Sequence, residues 1–162
     1  MSGTGGASAW LGDLEAAFGD VAQTALGKGE MTVTGRTALP RPEYQGAYIG
    51  LVSPQGAVQI GVASGEGGCQ ALARGLLGMD PADPPLPPAE VADAVCEVIN
   101  IVAGAFKARL RDRVTSMQMG LPTFFRGPAQ PTGHTAVDVA DIRVGDIPAA
   151  LILVYPRTHA EE

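Results

Sequence analysis

Between Pro87 and Arg113 six residues recur in steps of three and four: Asp93, Glu97, Asn100, Gly104, Lys107 and Arg111. On a helix that spacing puts them in one narrow stripe. The stripe offers carboxylates at its start, an amide in its middle and cations at its end, an order that also suits the helix dipole. Asn is a mediocre helix former, and a mid-helix Gly costs about 1 kcal/mol relative to Ala. A Gly one turn from an Asn is what would let another backbone approach while an amide is presented to it. The stripe therefore reads as a docking face, with an ordinary solvated helix face as the alternative. Spacing alone names no reaction.

The opposite side of the same stretch carries Val91, Val95, Val98, Val102, Ala105 and Phe106 at about 100° per residue, the pattern of a helix laid on a core. Around this central helix the chain reads in order. Residues 1–8 form a flexible leader. Ala9 to Leu26 repeats apolar residues at helical spacing and stops at Gly27. Met31 to Leu39 alternates as a strand. Tyr48–Ser53 and Ala57–Ala63 make a hairpin across Pro54-Gln55-Gly56. Gly65 to Gly68 reads as a turn, since it lacks the Lys and hydroxyl of a phosphate loop. A short helix over Cys69–Leu77 and a proline-rich surface link, Met79–Pro88, lead into the central helix. Strands follow at Ser116–Phe125, Thr135–Val144 and Ala149–Tyr155, and residues 157–162 are a polar tail.

A helix plus three strands thus occurs twice within a single domain, residues 9–156. The expected class is α+β, with the long central helix packed on a mixed or antiparallel sheet. Aligning the halves sets Glu15-Ala-Ala-Phe18 against Glu97-Val-Ile-Asn100, so that only the second half carries the polar stripe.

At 162 residues the chain can bury a real core. A formal net charge of −6 argues against unspecific nucleic-acid binding and against attraction to an anionic membrane. No signal peptide and no apolar run long enough to span a bilayer is present. Cys69 and Cys96 have neither paired spacing nor a nearby His, and read as reduced core or near-core thiols of a cytoplasmic protein. His134 and His159 lie apart, at a strand edge and in the tail, and no metal-ligand set is found.

The segment Asp93-Ala-Val-Cys-Glu97-Val-Ile-Asn100-Ile-Val-Ala-Gly104-Ala-Phe-Lys107, followed by Leu121-Pro122-Thr123 and Gly127, resembles the CheC/CheX/FliY family of chemotaxis phosphatases, and more closely its CheX branch. Glu-x-x-Asn alone is a weak pattern. Its combination with Gly104, Lys107, the Leu-Pro strand and the order of elements is specific, and the resemblance extends from Ala9 to Tyr155. It implies a CheC-like fold and hydrolysis of the aspartyl phosphate on a CheY-type receiver domain. Asn100 would orient the attacking water and Glu97 would pair with the partner's active-site lysine. Asp93, Gly104 and Lys107 would belong to the docking surface.

The Mg2+ would be the receiver's, so the chain would need no cofactor of its own. A homodimer formed through the sheets is implied as well. One departure stands out: where the family often has a second Asn just after the Gly, this chain has Ala105 and Phe106. Two other readings compete with the phosphatase. One is a non-catalytic adaptor of the same fold that only binds a receiver domain, and the other is a structural dimerisation domain.

Overall fold

The computed structural model describes residues 3–127 and 129–157, with side chains from residue 9 onward. The chain runs α1 (Gly3–Thr24), β1 (Met31–Thr37), β2 (Gln45–Ser53), β3 (Gly56–Ser64), α2 (Glu66–Leu76), α3 (Pro88–Arg109), β4 (Gln118–Met119), β5 (Thr123–Arg126), β6 (Thr135–Val144) and β7 (Ile147–Pro156). The strands form one antiparallel sheet in the order β1-β6-β7-β3-β2, with β4 and β5 sharing the last edge against β2. The expected α+β class with a repeated unit is what forms.

Both long helices lie on one face of this sheet. Leu14, Phe18 and Val21 of α1 and Val95, Val98, Ile99, Val102 and Phe106 of α3 are buried there against Ile49, Leu51, Ile60, Val62 and Leu151. Each such side chain contributes about 1.5–3 kcal/mol on leaving water. Edge-to-face packing of Trp10 on Phe106, with ring centroids 6.3 Å apart, joins the two helices. Asp13 holds them from the surface by pairing with Arg109 and Arg113 at 3.7 and 2.8 Å. On the other face Tyr44, Tyr48, Val137, Val139 and Ile152 form a smaller apolar cluster.

Several expected boundaries shift. The first helix begins at Gly3 rather than Ala9, so most of the expected leader is helical; residues 1, 2 and 158–162, which include His159, lie outside the described residues. The glycine cluster is not a free turn: Gly65 caps α2, and Gly67 and Gly68 already belong to it. Gly68 sits so close to Ser64 that a Cβ there would collide with the Ser hydroxyl. The expected strand 116–125 breaks at Gly120-Leu121-Pro122 into β4 and β5. Met119 pairs with Leu51 before the break and Thr123 with Tyr48 after it. β1 slips its register at the corresponding place, between Val33 and Gly35.

The proline-rich link is pinned to α2. Arg74 donates to the carbonyls of Asp80, Pro81, Asp83 and Pro84, while Gln70 bonds both ways with the Leu86 backbone. This surface link delivers Pro87 and Pro88 to the start of α3, where Pro is pre-organised for the first turn.

The repeat is real, but its helical register is one residue off the alignment made by sequence. Burial follows the same phase when Leu14, Ala17, Phe18, Val21 and Ala22 are matched with Val95, Val98, Ile99, Val102 and Ala103. Phe18 therefore corresponds to Ile99, and Gly19 to Asn100.

Candidate functional site

Burying the Val face of α3 forces the polar stripe outward. Asp93, Glu97, Gly104, Lys107 and Arg111 are exposed and Asn100 is partly exposed, all on the side of the helix that looks away from the sheet. At 1.5 Å rise per residue Asn100 stands about 4.5 Å along the axis from Glu97, on the same face. The sequence-predicted residues Asp93, Glu97, Asn100, Gly104 and Lys107 are thus brought together as one continuous strip along a single 22-residue helix.

Among the described residues they lack the internal partners that Asp13 and Glu15 of α1 have. On α1, Glu15 is buried and takes both hydrogen bonds of the Arg36 guanidinium, and Asp13 is occupied by two arginines. Among the described residues the side chains of Asp93, Glu97, Asn100, Lys107 and Arg111 make no hydrogen bond or ion pair. Gly104 is equally unexplained from within. A Cβ built on it would meet nothing within 4 Å. Many buried glycines admit a neighbour; this one faces open space, so its cost to the helix is repaid by nothing inside the chain.

Phe106 is fully buried, so it is no part of the outer surface, and the departure from the family pattern there is confined to the small Ala105. Cys96 sits half-buried beside the stripe, its thiol pKa raised by burial and then by the charge of Asp93. Cys69 is buried, hydrogen-bonds the Gln45 carbonyl at 3.3 Å, and is pushed up to about 11 by desolvation. Both are free thiols.

The Leu121-Pro122 pair lies in the break of the sheet edge. Phe124 borders a hollow with Pro88 and Val91 near the start of α3, while Met117 borders one with Gly104 and Arg111 near its end. The break consequently runs beside the middle of α3. Leu121 is 89% exposed, more than any other large apolar side chain among the described residues.

Sequence reasoning missed the hollow at the end of α3. Gly104, Lys107, Ala108 and Arg111 face Val114, Thr115, Ser116 and Met117 across a volume of about 490 Å³. Ser116 has φ 57°, the only positive φ of a non-Gly residue described. The turn that folds it back toward the helix has no sequence signature, because Ser is not a residue that announces a left-handed backbone. Among the described residues no three His, Cys, Asp or Glu side chains gather as a metal set, and no helix is long and apolar enough to cross a membrane.

No curated protein matches the chain. Among solved structures, a chemotaxis protein CheX from Desulfovibrio desulfuricans superposes with a TM-score of 0.72 at 17% identity, over 91% of this chain and 99% of the other. A CheC-like superfamily protein from Shewanella sp. PV-4 gives 0.71 at 19%, over 90% and 96%. The CheX–CheY–BeF3–Mg2+ complex from Borrelia burgdorferi gives 0.69 at 16%, over 92% and 98%. At these identities the likeness is one of fold. A family model described as chemotaxis phosphatase CheX matches residues 46–138, more than half of the chain and including all of α3, and the chain therefore belongs to the CheX family.

Proposed function

We propose that this protein hydrolyses the aspartyl phosphate of a CheY-type receiver domain, with Asn100 as the catalytic residue and Glu97 as the docking carboxylate. The observation that carries the reading is the pair itself: a carboxylate and an amide one turn apart on an exposed helix face, neither with a partner among the described residues. Family membership and the fold shared with a CheX solved in complex with CheY support it.

The chemistry fits such sparse equipment. An acyl phosphate is already activated, and phosphoryl transfer asks mainly for alignment and charge stabilisation. The Asn100 carbonyl oxygen would accept a hydrogen from water lying in line with the phosphorus, and its NH2 would donate to a phosphoryl oxygen. Water adds to phosphorus, the bond to the aspartyl oxygen breaks, and inorganic phosphate and a free carboxylate result. Glu97 would pair with the receiver's lysine and fix the approach of the helix. The receiver would supply its own Mg2+, which neutralises phosphoryl charge. Asp93, Gly104 and Lys107 would complete the contact surface. We place the protein in the cytoplasm, and as a homodimer; the exposed apolar Val52 and Phe125 on the sheet face away from the helices support the pairing of two copies.

The test is the decay of phosphate from acetyl-phosphate-charged receiver domains, with the protein and with Asn100→Ala. Loss of about 100-fold in turnover is expected, comparable to removing one positioned donor from a reacting site. The fold should survive intact: the Asn100 side chain makes no hydrogen bond among the described residues, and Ala is the better helix former. Tight receiver binding with no acceleration by the wild-type protein would replace the phosphatase by an adaptor.

A further inference from the structure

Four arginines and lysines crowd the end of α3, and they divide into two pairs. Arg109 and Arg113 point to α1 and are taken up by Asp13. Lys107 and Arg111 line the 490 Å³ hollow together with the hydroxyl residues Thr115 and Ser116, and among the described residues none of these four side chains has a hydrogen bond or ion pair. Gly104 and Ala108, both small, line it as well. Ser116, another lining residue, is held at φ 57°, a conformation that a non-Gly residue enters at a cost.

The charge here runs against the rest of the molecule. The chain as a whole is at −6, yet this end of the strip presents two unpaired cations, while its beginning presents Asp93 and Glu97. A surface so divided can be satisfied only by a partner divided the opposite way, and such complementarity sets orientation and encounter rate.

We propose that the hollow lined by Lys107, Arg111, Thr115 and Ser116 receives an acidic cluster of the receiver domain, and that this contact selects among receivers and fixes their orientation on α3. The inference rests on reading Asn100 as the reacting end of the strip. Helical rise then gives a distance: Lys107 lies about 10 Å along the axis from Asn100, and Arg111, in the turn that follows the helix, lines the same hollow. The accepted receiver carries at least two carboxylates at that separation from its phosphorylated aspartate, in addition to the lysine that meets Glu97. The hydroxyls of Thr115 and Ser116 donate to the same carboxylates.

The experiment is equilibrium binding of beryllofluoride-charged CheY-type receiver domains to the wild-type protein, to Arg111→Glu, and to Arg143→Glu, an exposed position on β6 near the opposite sheet edge that changes net charge identically. Arg111→Glu should weaken binding about tenfold at low salt and much less near 0.5 M, as expected when an attraction across the surface becomes a repulsion. Arg143→Glu should stay within about twofold, and replacing the receiver's facing carboxylate by Arg should restore binding to Arg111→Glu. Equal effects of the two variants, or failure of every receiver to bind, would overturn the proposal. Phosphate decay measured on the same samples separates it from the phosphatase reading. Charge-sensitive binding without accelerated decay would remove the turnover and leave this surface; accelerated decay indifferent to Arg111→Glu would do the reverse.

Discussion

Replacing Gly104 by Ala should make the protein more stable and less able to dock. The residue lies inside α3, five positions before its end, where exchanging Gly for Ala gains about 1 kcal/mol of helix propensity. Nothing lies within 4 Å of the Cβ that would be added, so no clash offsets the gain. For a domain of this size, 1 kcal/mol corresponds to roughly 2–4 °C in Tm. Thermal unfolding can be followed through Trp10, the single tryptophan, whose ring packs on Phe106 of the same helix. If a receiver backbone approaches α3 beside Asn100, the same methyl group intrudes on it at about 1–3 kcal/mol, the usual penalty for overfilling a close contact. Binding should then fall by about tenfold. A lowered Tm would show that the glycine serves the fold, and a raised Tm with unchanged receiver binding would refute the claim that it clears a path for a partner.

Phe106→Ala should cost about 3–5 kcal/mol in denaturant unfolding, since the ring is fully buried and joins α1 to α3 through Trp10. Cys69 should make stability fall at alkaline pH. Its thiol is raised in the fold to about 11 from the ordinary 9.0, so the folded protein keeps a proton that the unfolded chain has released. The contribution is whole below pH 9 and is lost between pH 9 and 11. Subtracting the pH profile of Cys69→Ala, which retains the raised tyrosines Tyr44 and Tyr48, should isolate that loss. A flat difference would contradict it.

Elements whose apolar period is strong were legible without coordinates. The Thr135–Val144 strand has the bounds that its alternation predicts, and the valine side of α3 is the buried one. The polar strip was legible for the same reason, because a helix with one side in the core must expose the other. Where the expected element boundaries failed, glycine was the main cause. Glycines near Gly3 and at Gly67 and Gly68 carry low helix propensity, yet stand in helices that packing on the sheet holds in place. Gly120 interrupts a run that alternation alone would carry through to Phe125. The basic hollow escaped notice because it depends on the Val114–Met117 turn folding back over α3, a long-range outcome that no short pattern in that segment encodes.

The two halves of the fold show what separates scaffold from site. In the register set by burial, Glu97, Asn100 and Gly104 of α3 correspond to Ala16, Gly19 and Gln23 of α1. The backbone geometry is equivalent, and the α1 strip is likewise turned away from the sheet. Yet it holds no carboxylate, no amide at the reacting position and no open glycine beyond it. Two of its three acids, Asp13 and Glu15, fall one position off the strip and are spent on Arg109, Arg113 and Arg36, where they tie helices and sheet together; the third, Asp20, is exposed. The same residue types thus serve opposite ends according to phase. On α1 a one-residue displacement turns the Asp13 and Glu15 carboxylates to arginines that hold the domain together; on α3 Asp93 and Glu97 remain on the outer strip, without a partner among the described residues.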